Sequence, residues 1–375
     1  MISVVCLRYY PAVGGVETTV LETTCRLAES FQMKVVTSDL KVEKPFQRLS
    51  EKERLSEYKN VPITHLESKK FLPVEGYGVK MKGLLDAVSG SEMIHAHSYG
   101  AHHSDKVIKM THKNGIPSIL TTYLHPSTYS HHKILRSFYD STVGRRTLNR
   151  ATSIITLTNN EKDYIINRFG IPGEKIKVIP SGVDLAKFRD LGRKREENTL
   201  LFVGRLSPVK RLDMLLRALA KVKKKIPDVK LRIVGKDWGV KSDLVDLAKT
   251  LNIENNIEFL EELSFEGLIN QYNSAKALVL TSRFETFGVV IMEAMACGTP
   301  AVAVGVGGIP EVVGDSGILC KDNEESVAQG IIKMLTNHEK YDSLKENTKK
   351  RRELFSWDLV SQKVKSLYED TLKAV

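Results

Sequence analysis

The chain has 375 residues, 42% hydrophobic and 27% charged, enough for two α/β cores and typical of a globular protein rather than a fibrous or disordered one. No apolar run approaches the length of a membrane span, and the four cysteines (Cys6, Cys25, Cys297, Cys320) form no CxxC pair, which argues against a disulfide framework or zinc knuckle and for a reducing cytoplasm. The net charge of +11 is uneven, +8 over residues 1–180 and +3 over 181–375. That asymmetry fits an anionic lipid surface, an acidic acceptor or a solvated face with no partner, and no basic–aromatic cluster or helix-turn-helix points to nucleic acid.

Both halves alternate short β-branched runs with helical patterns, the mark of parallel sheets with crossover helices. The chain opens on ISVVCL, read as a buried strand rather than a signal peptide because no basic segment precedes it. YYPAVGGVE follows. Gly14 and Gly15 let backbone approach a ligand, and the helix expected near Val16 offers an anion-facing terminus. MKVVT and VPITHL are the next strands, then EMIHAH. In EMIHAH, His95 and His97 share one strand face at the carboxyl end, where open α/β sheets bind ligands, although for either ring taken alone a satisfied structural role is the stronger reading. PSILTT and ATSIITL complete the first half, and the turn chemistry of IPSGVD, residues 179–184, predicts the domain boundary.

The second half begins with TLLFVG. FVGRLSPVKRLD reads as strand, glycine turn and helix, with Ser207 as N-cap and Pro208 as the first helical residue. Arg205 and Lys210 then lie near a helix N-terminus that attracts phosphate, or are ordinary surface residues at a helix start. LRIVG, NIEFL and ALVLTS are further strands. SRFETFGVVIMEAMACG places Glu285 and Glu293 as an E-x7-E pair across a strand-to-helix turn. The N–H groups of Phe287, Gly288 and Val289 suit phosphate oxygens, and Glu293, in an otherwise apolar helix, suits the two hydroxyls of a ribose. TPAVAV and GILC are the last strands. From Ser356, Trp357, Val360, Val364, Leu367 and Tyr368 share one face of a closing helix. The chain has no GxxxxGK[ST], no GxGxxG after a strand and no DxD, so a diphosphate leaving group would rely on protein cations rather than a metal.

YYPAVGGVE, IHAHS, IPSGVD, FVGRLSPVK and SRFETFGVVIMEAMACGTPAVAVGVGGIPEVV, in this order and spacing, resemble the retaining glycosyltransferases of family four. The resemblance implies the α/β GT-B fold, two Rossmann-like domains with parallel sheets facing across a cleft. Residues 1–180 would bind the acceptor and 181–355 the nucleotide sugar, and residues 356–375 would cross back to the N-terminal domain. Carried over residue by residue, Arg205 and Lys210 grip the donor diphosphate, with Gly204 in the same turn. Glu285 lies beside the donor sugar, Glu293 binds the ribose, and the amides of Phe287, Gly288 and Val289 hold phosphate. His97, rather than His95, contacts the sugar, and Gly14 and Gly15 form the glycine-rich loop. Two departures stand out. Ser181 replaces the Asn of the hinge motif. FLEEL puts Glu261 where a glycine is usual and Leu263 beside the base.

The resemblance implies a metal-independent, retaining transfer from a nucleotide-diphosphate sugar to a saccharide or lipid acceptor, with no cofactor. Local wording in GGVE and HAHS is similar to N-acetylglucosaminyl transferases acting on phosphatidylinositol, which favours UDP-N-acetylglucosamine as donor. A nucleotide-sugar epimerase or sugar phosphorylase on the same fold, and a non-catalytic nucleotide-sugar sensor, are the alternatives.

Overall fold

The computed structural model describes residues 1–12, 14–43, 46–72, 77–126, 133–261 and 263–373. The chain divides into two compact units, Met1–Ser181 with Trp357–Val375, and Gly182–Ser356.

The first unit is built on strands β1 (Ile2–Val5), β2 (Met33–Ser38), β3 (Val61–Leu66), β4 (Met93–His97), β5 (Ser118–Thr121), β6 (Ser153–Thr156) and β7 (Ile176–Val178). They run parallel in the order β7-β6-β5-β4-β1-β2-β3, with Glu57–Tyr58 added antiparallel at the edge. Central β1 is buried on both faces. Ile2 and Val4 join one core with Trp357, Val360, Val364, Leu367 and Tyr368, while Val5 joins the other with Ile94 and Leu120. This explains its unbroken apolar run. The closing helix Trp357–Lys373 thus completes the first unit's core and packs against the helix Gly15–Leu27.

The second unit repeats the plan. Strands β8 (Glu196–Val203), β9 (Lys230–Val234), β10 (Ile257–Leu260), β11 (Ala275–Leu280), β12 (Ala301–Val304) and β13 (Gly317–Cys320) run parallel in the order β10-β9-β8-β11-β12-β13. In both sheets the order reverses beside the unit's first strand, between β1 and β4 and between β8 and β11. Ligands bind in doubly wound sheets at such reversals, outside the carboxyl ends of the strands.

All twelve apolar runs form strands. The pattern missed β7, whose IKV is too short to show a period, and it misplaced one helix start. Pro208–Lys210 is a single 3-10 turn, Arg211 adopts a left-handed conformation (φ 50°), and the α-helix begins at Leu212. Ser207 makes no capping bond with its side chain. The reason is tertiary: the Thr281 hydroxyl, at the end of β11, donates to the carbonyls of Lys210 and Arg211 at 3.1 Å and holds the turn open. The basic first half contains two stretches that mix basic and apolar residues, KKFLPVEGYGVKMKGLL (69–85) and HHKILRSFYDSTVGRR (131–146), of which positions 73–76 and 131–132 lie outside the described residues. Ile134, Leu135 and Phe138 in the second are exposed. Among the described residues no helix is long and apolar enough to cross a membrane.

Candidate active site

In the second unit three loops meet at the reversal. The turn after β8 carries Gly204, Arg205 and Lys210, and the loop after β11 runs from Thr281 to Gly288. Besides the Thr281 bonds, the Arg283 N–H donates to the Val209 carbonyl at 2.8 Å. The Lys210 ammonium pairs with Oε1 of Glu285, which also accepts from the Ser282 hydroxyl at 2.7 Å. Lys210 and Glu285, 75 positions apart in sequence, are therefore in contact and both largely buried. The third loop supports them from beneath. The Gly308 N–H donates to the Glu285 carbonyl at 2.9 Å, and Gly307 (φ 56°) lies so close that a Cβ there would overlap that carbonyl. Gly235 (φ 150°), after β9, meets the Gly204 carbonyl in the same way. Only glycine fits these two positions, on both conformational and steric grounds.

The helix Val289–Ala296 starts from this loop. Among the described residues the N–H groups of Phe287, Gly288 and Val289 have no acceptor, as befits a helix N-terminus open to an anion. Phe287 is buried against Phe355, ring centroids 5.7 Å apart, which anchors the loop. One turn into the helix, Glu293 Oε2 accepts from the Tyr272 hydroxyl at 2.6 Å. Burial pushes the Glu293 carboxyl up to about 7, against the lowering effect of that bond. Tyr272 is fully buried, and its carbonyl accepts from the buried guanidinium of Arg195 at 2.6 Å. Arg205 is exposed and has no ion-pair partner among the described residues, and its guanidinium lies 4.4 Å from the ring centroid of Trp238. Leu263 is half-buried just before Ser264, which caps the helix Phe265–Ser274, and Glu261 pairs with Lys241.

In the first unit the corresponding reversal is flanked by Gly14 and Gly15, leading from β1 into the helix Gly15–Leu27, and by His97 at the end of β4. The Glu17 carboxylate sits against Gly14 and pairs with Arg8 at 2.7 Å. His95 and His97 stack 4.1 Å apart, and the structure separates their roles. Both nitrogens of His95 are engaged at 2.7 Å, Nδ1 with the Tyr368 hydroxyl and Nε2 with that of Thr121, and burial pushes the ring down to about 3. It is a core residue. His97 uses Nδ1 on the Tyr123 hydroxyl at 3.1 Å, and no partner is found for Nε2 among the described residues. Burial holds its ring well below the ordinary histidine range, so it is neutral and offers a hydrogen bond rather than a charge. Its carbonyl accepts from His103 Nε2 at 2.8 Å and Ser104 at 2.9 Å. Ser98 and Tyr123, at the ends of β4 and β5, have φ values of 82° and 47°, and such strain often marks functional loops. Ser181 bonds Thr19 of the glycine-loop helix at 3.0 Å.

Comparison with known proteins matches both halves. Residues 13–187 fit the family described as Glycosyltransferase Family 4, and residues 184–351 fit Glycosyl transferases group 1. Each half of the chain thus matches a glycosyltransferase family model, and the two matches together run from residue 13 to residue 351. A D-inositol 3-phosphate glycosyltransferase of Saccharomonospora viridis is 30% identical over 244 residues, 60% of this chain and 57% of that protein. An uncharacterized glycosyltransferase of Methanocaldococcus jannaschii is 31% identical over 233 residues, 58% of this chain and 59% of that one. The match thus spans somewhat over half the length of these relatives. Among solved structures, sucrose-phosphate synthase of Thermosynechococcus elongatus superposes with a TM-score of 0.80 at 20% identity, covering 100% of this chain and 99% of that one. Anabaena HepE in complex with UDP gives 0.77 at 20%, covering 100% of both. At these identities the likeness establishes the fold, which is GT-B.

Sequence reasoning missed Tyr272, Tyr123, Trp238 and Ser282, which contact the candidate residues Glu293, His97, Arg205 and Glu285. A lone Tyr, Trp or Ser in a loop or helix carries no pattern of its own, and only the tertiary contact gives each its role.

Proposed function

We propose that the chain transfers a glycosyl group from a nucleoside-diphosphate sugar to the hydroxyl of a saccharide or lipid acceptor, with retention and without a metal. The observation that carries this reading is the second unit's reversal. There the turn after β8 carries Arg205 and Lys210, and the loop after β11, which it contacts through Lys210 and Glu285, carries the free amides of Phe287, Gly288 and Val289 and leads into the helix bearing Glu293. Arg205 and Lys210 take the diphosphate, Gly204 gives the backbone room, and Glu293 accepts from the ribose. Glu285, steadied by Lys210 and Ser282, faces the sugar, and Leu263 flanks the base. The first unit takes the acceptor between the Gly14–Gly15 loop and His97, whose Nε2 bonds the sugar. In the reaction the bond from the anomeric carbon to the phosphate oxygen breaks and the electron pair leaves on the diphosphate, while the acceptor oxygen bonds that carbon from the same face and its hydroxyl proton passes to the departing phosphate oxygen.

A UDP-sugar is the favoured donor, and UDP-N-acetylglucosamine the first to try. HepE, which shares the fold, is seen with UDP, and the D-inositol 3-phosphate glycosyltransferases among the relatives make a phosphorylated polyol or its lipid a reasonable acceptor. Placement in the cytoplasm, at the inner membrane face when the acceptor is a lipid, fits the basic first unit. A thermal-shift panel of UDP-, GDP- and ADP-sugars tests the donor, since binding to the folded state raises the melting temperature. One class should stabilise the chain, and transfer should then need a second substrate and persist in EDTA. Epimerised donor without acceptor would indicate an epimerase instead. Loss of activity in EDTA, restored by magnesium, would refute the metal-free reading.

A further inference from the structure

Arg205 and Lys210 are held very differently. Lys210 is pinned by Glu285 within a buried hydrogen-bonded loop. Arg205 is exposed, makes no ion pair among the described residues, and rests on the indole of Trp238. An exposed Arg side chain with no fixed contact loses considerable rotamer freedom when it grips an anion. An aromatic face restrains the guanidinium while consuming no carboxylate-type acceptor, so its N–H groups stay available.

Trp238 is itself a built position. It is 46% exposed, unusual for a residue of this size, yet its backbone is fixed on both sides. Its N–H donates to the Leu206 carbonyl at 2.9 Å, and the Leu206 N–H donates to the Lys236 carbonyl at 2.9 Å, which zips the loop after β9 to the turn carrying Arg205. Asp237 Oδ1 accepts from the N–H groups of Gly239, Val240 and Lys241 at 2.9, 3.0 and 3.1 Å and fixes the start of the next helix. A ring left in solvent on so constrained a backbone, with an unpaired guanidinium over it, is placed for that guanidinium. We propose that Trp238 is a positioning residue that presents Arg205 to the diphosphate of the donor. The inference rests on the nucleotide-sugar reading above and adds to it the residue that orders one of its two cations.

The chain's two tryptophans make the test direct, because Trp357 is buried in the first unit's core and Trp238 is exposed. Binding of UDP, GDP and ADP, and of the matching nucleosides, is measured by calorimetry on the full chain. Intrinsic fluorescence should change as the preferred diphosphate binds. Trp238→Ala should weaken that diphosphate about fivefold, the scale of a solvent-exposed cation–π contact, and leave the nucleoside unchanged. Trp238→Phe should recover most of the loss. Arg205→Ala and the double variant should bind alike, because the Trp acts through the Arg. Equal diphosphate affinity in Trp238→Ala overturns the proposal. So does an equal loss of nucleoside affinity with additive double-variant effects, which would place the base itself on the indole. If the unaltered chain binds none of the three diphosphates, the nucleotide-sugar reading falls and this inference with it. A melting curve of Trp238→Ala confirms that the exposed substitution leaves the fold intact.

Discussion

Glu293 shows most plainly what the site demands of a single side chain. A carboxyl raised to about 7 by burial holds a proton in the folded chain that the unfolded chain has already lost above its ordinary range. Stability therefore falls as pH rises from about 4.5 to about 7 through this group, and above that range the ionised carboxylate is a standing cost to the fold. In the role proposed for it the return is in binding, since an ionised carboxylate can accept from both hydroxyls of a ribose. Glu293→Gln is accordingly expected to melt higher than the parent at pH 8, by up to about 3 kcal/mol, with the difference vanishing near pH 4.5. The same variant should bind nucleoside weakly at every pH, whereas the parent's affinity rises between pH 6 and 8. Calorimetry and melting curves at those pH values check both, and a Gln variant no more stable at pH 8 would refute the assignment.

Among the elements, the closing helix Trp357–Lys373 is the most informative. Its apolar stripe belongs to the same core as β1, and the Tyr368 hydroxyl meets the buried Nδ1 of His95. The element that ends the chain therefore completes the sheet that begins it. Tyr368→Phe leaves a buried imidazole nitrogen without a partner, a loss of about 1–3 kcal/mol. Denaturant melts should show that loss while nucleoside diphosphate binding, proposed for the second unit, stays at the parent's value. A Phe variant as stable as the parent would mean that His95 finds another partner. The same contact explains why IHAHS reads ambiguously as sequence. His95 and His97 are equivalent by alternation, and what distinguishes them is Tyr368, which is 273 positions from His95.

At the scale of the whole molecule, charge is the property that folding leaves most open to the surroundings. The first 180 residues hold +8 of the +11, and Ile134, Leu135 and Phe138 are exposed beside Arg136. Each basic residue near an anionic lipid surface adds about 1 kcal/mol of attraction. Sedimentation with vesicles should therefore show binding that rises with anionic lipid and falls with salt, as screening within about 10 Å at 0.1 M requires. A chain that stays in the supernatant with strongly anionic vesicles at low salt favours a soluble saccharide acceptor. The sequence by itself determined the α/β class, twelve of the thirteen main strands and the glycine turns that leave their carboxyl ends. β-branched runs and glycine turns act locally and leave a local trace. Tertiary structure alone decided the late start of the helix at Leu212, the pairing of Lys210 with Glu285, the division of labour between His95 and His97, and the support of Glu293 by Tyr272 and of Arg205 by Trp238. Each of these depends on which strand ends become neighbours where the sheet order reverses, and no local pattern in the chain encodes that adjacency.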